Sequence, residues 1–190
     1  GCRGAGRVLA SRSDRTWSIL VIVTDGEESG LMGAAALVTD REVMNRLQAY
    51  INVEAAGSGG PGMLFQSGPD NGWITGPWAR SAPHPRGAAY GIELYRRLPN
   101  DTDFTILARH GIPGLNFALI GDGYAYHTPR DVPERISART LRDIGENVVA
   151  TARALDGRDI TRPSGAGSVY FDIGGVTAVS YPALAGWILS

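Results

Sequence analysis

Apolar and polar positions recur along this chain on two periods, and together they lay out a succession of strands and helices. Ile19 to Val23 is a short run of β-branched and aliphatic residues, the pattern of a strand buried on both faces. Asp25-Gly26 ends it, and a helix is expected to start near Ser29, with Leu31, Ala35, Val38 and Met44 along one face. Leu47 to Val53 reads as a second strand that delivers Asn52 and Glu54 to its end. A loop is expected from Glu54 to Gly62, then a short strand from Met63 to Gln66, closed by Ser67-Gly68-Pro69. Trp73 to Ala82 resists assignment because Pro77 and Pro83 limit any helix there. Pro85 to Leu98 reads as helical, with Tyr90, Leu94 and Leu98 at i,i+4 spacing. Asp101 to Arg109 is expected to be a loop and short helix capped by Asp101 or Thr102. Ile112 to Ile120 contains an apolar strand, and Gly121 to Pro133 a loop rich in Gly, Tyr, His and Asp. An amphipathic helix follows from Ser137 to Leu155, with Leu141, Ile144, Val148, Val149 and Ala152 towards the core. Strands alternating with helices of this length argue an α/β sandwich.

The two ends break this pattern. Residues 1–18 are rich in Arg, Gly and Ser, and are read either as the remnant of an upstream element or as unordered. Residues 19–156 form the folded unit, and 157–167 a polar linker. Residues 168–190 are apolar, with Asp172 their only charged side chain. This tail is expected to border or enter a membrane, with an edge element of the fold as the alternative. Pro182 and the glycines argue against a single clean span.

At 190 residues the chain fits one domain with a sizeable core. A net charge of -1 gives no basic excess for a nucleic-acid partner. The 26 glycines and 11 prolines favour a loop-rich enzyme over a helical bundle. The single cysteine, Cys2, excludes an internal disulfide without fixing the compartment.

The residues worth weighing for chemistry are Asp25, Glu27, Glu28, Glu54, Asp103, His127 and Asp131. Each has a plain reading on its own, as a solvated turn, a polar strand end or a loop histidine. Position raises the functional one. Glu27/Glu28, Glu54 and His127 follow three separate apolar runs, and open α/β folds place ligands at strand ends. Carboxylates and an imidazole form a zinc-compatible donor set. Adjacent glutamates leave the backbone in different directions, so one can hold a metal while the other faces an attacking water. There is no cysteine cluster, phosphate-cradling glycine loop or Gly-x-Ser-x-Gly elbow.

TDGEESGLMGA, INVEAAG and DTDFTILARHGIPGLNFALIGDGYAYHTPRD together resemble the M28 zinc metallopeptidases of the aminopeptidase type. They are most similar to the membrane-associated branch that includes vacuolar and endoplasmic-reticulum proteases. The resemblance covers roughly Trp17 to Leu155. It implies a three-layer sandwich around a mainly parallel mixed sheet, and zinc-dependent removal of residues from peptide or protein N-termini. Glu27 is then the general base, Glu28 and His127 ligands of one zinc, and Glu54 a ligand of the other. Tyr126 becomes a donor to the developing oxyanion, and Asp103 orders the site or the substrate amine. Asp131 is a candidate to orient His127, and Asp25 to fix the backbone presenting the glutamates. In that branch the peptidase domain precedes transmembrane helices and lies away from the cytosol. The tail VYFDIGGVTAVSYP resembles the junction before those helices.

The family also uses a His and a bridging Asp upstream of the Asp-Gly-Glu-Glu motif. Only 24 residues precede Asp25, none a histidine, and Asp14 lies in an Arg/Ser-rich segment. The chain is therefore expected to hold the C-terminal portion of a peptidase domain, with activity impaired. Two alternatives share the fold: a glutaminyl-cyclase-like acyltransferase using one zinc, and a non-catalytic binding module.

Overall fold

The computed structural model describes residues 2–11, 13–68, 70–91, 101–160 and 167–186. In chain order the elements are α1 (Cys2–Ala10), α2 (Met32–Leu37), α3 (Arg41–Arg46), β1 (Tyr50–Ala55), β2 (Gly59–Ser67), α4 (Gly72–Ser81), α5 (Asp103–Arg109), β3 (Gly114–Gly121), α6 (Ala138–Leu155), β4 (Ser168–Ile173), β5 (Thr177–Pro182) and a last helical turn, α7 (Ala183–Gly186). Two 3-10 turns, Gly123–Ala125 and Pro133–Arg135, lie between β3 and α6.

The main sheet has the order β1-β3-β2, with β1 parallel and β2 antiparallel to β3. It is an α/β fold with a mixed sheet flanked by helices, and the sheet is as much antiparallel as parallel. β3 is central because LNFALI is apolar on both faces, and its residues Gly114 to Leu119 are buried. Leu115, Phe117 and Leu119 join Leu64, Ile74, Trp78, Ile144 and Tyr170 in one core on the side of α4 and α6. The other face carries Tyr50, Asn52 and Glu54 from β1, which alternation places together. There the Tyr50 hydroxyl donates to the Phe104 carbonyl of α5 at 2.7 Å, and the two rings sit 5.2 Å apart.

Several expectations hold. α6 spans the range that the periodicity predicts, with the Ser137 hydroxyl accepting from the Thr140 N–H at 3.0 Å as its cap. Of the residues expected to face the core Ile144 is buried, while Leu141, Val148, Val149 and Ala152 are half-buried and Thr140, Asn147 and Thr151 take the other buried places. α5 begins after Thr102, as one of the two proposed caps required. Of the expected helix 85–98, residues 92–98 lie outside the described residues and 89–91 are helical. Residues 85–88 are not, because Gly87 and Ala88 form bridges to Leu64 and Phe171. Residues 161–166 of the linker also lie outside the described residues.

Others are corrected. The helix expected from Ser29 is two short ones, because Asp40 interrupts it and caps α3 by accepting from Glu42 and Val43 N–H groups at 3.0 and 3.2 Å. The loop expected over 54–62 is largely strand, since β2 begins at Gly59 and the pairing shifts register between Gly59 and Gly62. Trp73 to Ala82 is helical after all. Pro77 removes one hydrogen bond from α4, while burial of Ile74 and Trp78 holds the helix on the core.

The largest correction concerns Ile19 to Val23, which forms no strand. Its side chains are exposed, from 39% at Ile22 to 73% at Val23. Leu20 and Ile22 of this segment line a cleft of about 810 Å³ that Ile51 and Val53 of β1 also line. A strand needs a ladder partner as well as apolar residues, and among the described residues the outer edge of β1 is unpaired.

The tail is corrected too. β4 and β5 form an antiparallel hairpin that turns at Gly174 and Gly175, both with positive φ (62° and 68°). The hairpin packs on α4. Tyr170 meets Trp78 edge to face at 5.4 Å, the Thr75 hydroxyl lies 2.7 Å from that of Ser168, and Asn71 Oδ1 accepts from Ser168 N–H at 2.7 Å. Among the described residues no helix is long and apolar enough to cross a membrane. This corrects the membrane-associated placement expected from the apolar tail, which is instead a hairpin packed on α4.

Candidate functional site

Asp25 to Gly33 folds into a compact turn leading into α2. The Gly33 N–H donates to the Asp25 carbonyl at 2.9 Å, the Leu31 N–H to the Glu27 carbonyl at 2.8 Å, and Asp25 Oδ1 accepts from Gly26 N–H at 2.8 Å. A Cβ at Gly33 would stand 2.6 Å from the Asp25 carbonyl oxygen, so only glycine lets the chain close this way. The turn projects Glu27 and Glu28, and Asp25 fixes its backbone, as expected.

The 3-10 turn after β3 brings the second group. His127 Nε2 lies 2.8 Å from Glu28 Oε1 although 99 residues separate them. Tyr126 stacks on the His127 ring at 3.8 Å and reaches the same Glu28 oxygen at 3.5 Å. His127 takes a left-handed backbone (φ 58°), a conformation costly for a side chain of this size that aims its ring at Glu28. The turn is clamped from behind. Asp122 Oδ2 accepts from the Ser58 hydroxyl and from Arg135 Nη2, both at 2.6 Å, and these bonds hold its carboxyl down at about 2. Among the described residues Asp131 makes no bond to His127; its N–H donates to the Thr128 carbonyl at 2.9 Å instead.

Asp103, at the start of α5, accepts from the Thr24 hydroxyl at 2.5 Å through Oδ2. Its Oδ1 is buried without a partner among the described residues. Glu54 is half-buried at the end of β1 and accepts from the Asn116 side-chain amide. Burial pushes its carboxyl up to about 7, with the Asn116 bond opposing and the charges of Glu27 and Asp103 adding. Glu27 is also raised, by burial first and then by the charges of Glu28 and Asp103. Burial and the same two glutamates raise the Tyr126 hydroxyl.

The chain thus brings Glu28, Tyr126 and His127 into contact and places Glu27, Glu54 and Asp103 within electrostatic reach of one another. It does not bring three ligands together. Among the described residues no group of three or more His, Cys, Asp or Glu side chains is arranged to hold a metal ion. The donor chemistry still suits zinc, because Glu28 and His127 offer one carboxylate oxygen and one imidazole nitrogen from touching side chains. The unpaired oxygen of Asp103 is what a cation or an ammonium group would satisfy.

Residues 5–152 match the profile of Peptidase family M28. The chain belongs to that family. Relatives of this M28 chain include the endoplasmic reticulum metallopeptidase 1 of Rattus norvegicus, 32% identical over 97% of this chain and 21% of the relative. The putative endoplasmic reticulum metallopeptidase 1-B of Caenorhabditis elegans is 36% identical over 86% of this chain and 19% of its own. The vacuolar membrane protease of Aspergillus clavatus is 31% identical over 84% of this chain and 18% of its own. The chain therefore spans about a fifth of the length of these curated relatives. No solved structure matches it.

Sequence reasoning missed Asn116, Ser58, Asp122 and Arg135. Asn116 had a signal, as the lone amide inside the apolar run LNFALI. The other three did not, because their contact depends on how three separate segments meet.

Proposed function

We propose that this M28 chain carries part of a zinc-dependent site that hydrolyses peptide bonds at the N-terminus of its substrate. The observation that carries the reading is the 2.8 Å contact between Glu28 and His127, the two residues that the family motifs assign to one zinc. These two hold that ion, and Glu54 serves a second. Bound zinc supplies a polarised substrate carbonyl and a water made nucleophilic near neutral pH. Glu27 takes the proton of the attacking water and returns it to the departing amine nitrogen. Its raised proton affinity suits that shuttle, since a base works best when its pKa approaches the working pH. Tyr126 donates its hydroxyl to the oxyanion. Asp103 orders the substrate ammonium through the oxygen that has no partner among the described residues.

Zinc titration by calorimetry on the purified chain, beside a Glu28→Ala variant, tests this. Specific binding that the variant loses is the expected result, with only weak zinc-dependent release of N-terminal residues from aminoacyl substrates, since the family's upstream His and bridging Asp are not among these residues. Absence of specific zinc binding would overturn it. Cyclisation of N-terminal Gln without loss of a residue would replace hydrolysis by acyl transfer.

A further inference from the structure

Asn71-Gly72 is the single Asn-Gly pair in the sequence. Such a pair can modify itself. The glycine nitrogen attacks the asparagine Cγ, a C–N bond forms and the Cγ–Nδ2 bond breaks. The proton lost by the glycine nitrogen leaves with Nδ2 as ammonia. Water then opens the five-membered imide at either carbonyl, giving aspartate or isoaspartate. Glycine favours the first step because no Cβ hinders the approach and its backbone turns freely.

The fold presents the nucleophile and withholds the geometry. Gly72 is the first residue of α4, where a backbone N–H has no carbonyl partner within the helix. Ring closure needs the Gly72 nitrogen turned onto the side of the Asn71 Cβ. At ψ −3° it eclipses the Asn71 nitrogen instead. Rotating it would pull the Asn71 carbonyl from the Ile74 and Thr75 N–H groups, at 3.1 and 2.9 Å, and from the Thr75 hydroxyl, at 3.0 Å. The side chain is fixed as well. Nδ2 donates to the Ser67 hydroxyl at 2.6 Å, and Oδ1 accepts from the Ser168 N–H and hydroxyl at 2.7 and 2.9 Å.

Both restraints run through the β4–β5 hairpin. Ser168 holds the Asn71 oxygen, and the Thr75 hydroxyl that holds the Asn71 carbonyl lies 2.7 Å from the Ser168 hydroxyl and 3.1 Å from that of Ser180. β4 and β5 form a sheet of their own, bridged at Phe171 to Ala88. Two strands by themselves are marginally stable, so a unit of this kind opens at a lower free energy than a sheet core.

We propose that Asn71 is a deamidation site that the docked hairpin keeps silent and that release of the hairpin turns on. Isoaspartate, which routes the main chain through Cγ, then lengthens the link between β2 and α4 by one methylene and marks the chains whose hairpin has opened. The proposal involves neither zinc nor the candidate site.

The test incubates the whole chain in mildly alkaline buffer and follows Asn71 by peptide mapping and mass spectrometry, with isoaspartate resolved by its separate elution. The wild type is compared with Ser168→Pro and Gly72→Ala. Ser168→Pro removes both donors to Asn71 Oδ1 at the first residue of a strand, where proline is tolerated. Gly72→Ala restores a Cβ at a helical position that accepts it. The wild type is expected to keep its amide in buffer and to convert in urea below its unfolding transition, monitored by circular dichroism. Ser168→Pro is expected to convert about tenfold faster or more in buffer, because the open population grows. Gly72→Ala should suppress conversion in urea, which assigns the chemistry to this pair. Conversion of the wild type only where the whole chain unfolds overturns the proposal, as does a folded Ser168→Pro that converts no faster. So does a wild type that converts in buffer as fast as in full denaturant, since the hairpin then protects nothing. If Ser168→Pro does not fold, the urea series on the wild type decides alone.

Discussion

Glu54→Gln should make the metal-free chain more stable at neutral and alkaline pH, and should do so by an amount that vanishes in acid. Burial is the main reason the Glu54 carboxyl titrates at about 7 instead of the ordinary 4.5. An unfolded chain ionises this group near 4.5, so between the two values the folded state holds the extra proton. Stability from this residue is therefore fully present below about 4.5 and is lost as pH rises through about 7. Each pH unit of separation corresponds to about 1.4 kcal/mol, which makes the whole loss roughly 3 kcal/mol. Glutamine keeps an oxygen to accept from Asn116 and cannot ionise. Urea unfolding followed by tryptophan fluorescence, with a chelator present, is then expected to give the variant about 3 kcal/mol over the wild type at pH 8 and no advantage at pH 4.5. In a chain of this size that is a rise in Tm of roughly 6–12 °C. A stability difference that stays constant across this pH range would refute the burial argument.

Glu27→Gln should lower kcat by about 10²–10⁴-fold and leave zinc stoichiometry unchanged, because the residue moves a proton without holding metal; paired kinetics and calorimetry check both halves. Tyr126→Phe should cost about 10²–10³-fold in kcat with little change in KM, the pattern of a donor engaged only in the transition state. Trp78→Ala, at a fully buried position that packs α4 on the hairpin, should destabilise the chain by about 3–5 kcal/mol in urea unfolding.

The legible parts of the fold are those whose signal is local. α6 shows a sustained helical period and a serine cap, and β3 a continuous apolar run after Pro113-Gly114. Ile19 to Val23 shows the limit of that signal. Apolar β-branched residues favour a strand, yet a ladder also needs a neighbouring edge to pair with, and among the described residues this segment pairs with none. α4 was hidden by Pro77, whose lost hydrogen bond is offset by the burial of Trp78, a tertiary effect. The tail was misread because uncharged residues suit a lipid surface and a protein surface alike. Its paired glycines mark the turn, and Tyr170 points inward while Phe171 does not. In the site, the family resemblance pointed to Glu28 and His127 as partners, and the two side chains do meet. The clamp of Ser58, Asp122 and Arg135 left no trace in spacing because its members come from three separate segments.

The edge of β1, unpaired among the described residues, and the uncharged run Ile19 to Val23 also bear on how the chain behaves in the test tube. Two copies can satisfy each other's free backbone groups there, strand against strand, and apolar runs with no charge or proline give such pairing nothing to resist it. A single lysine at Val23, the most exposed position of the run, places a gatekeeper charge where an incoming strand would have to lie.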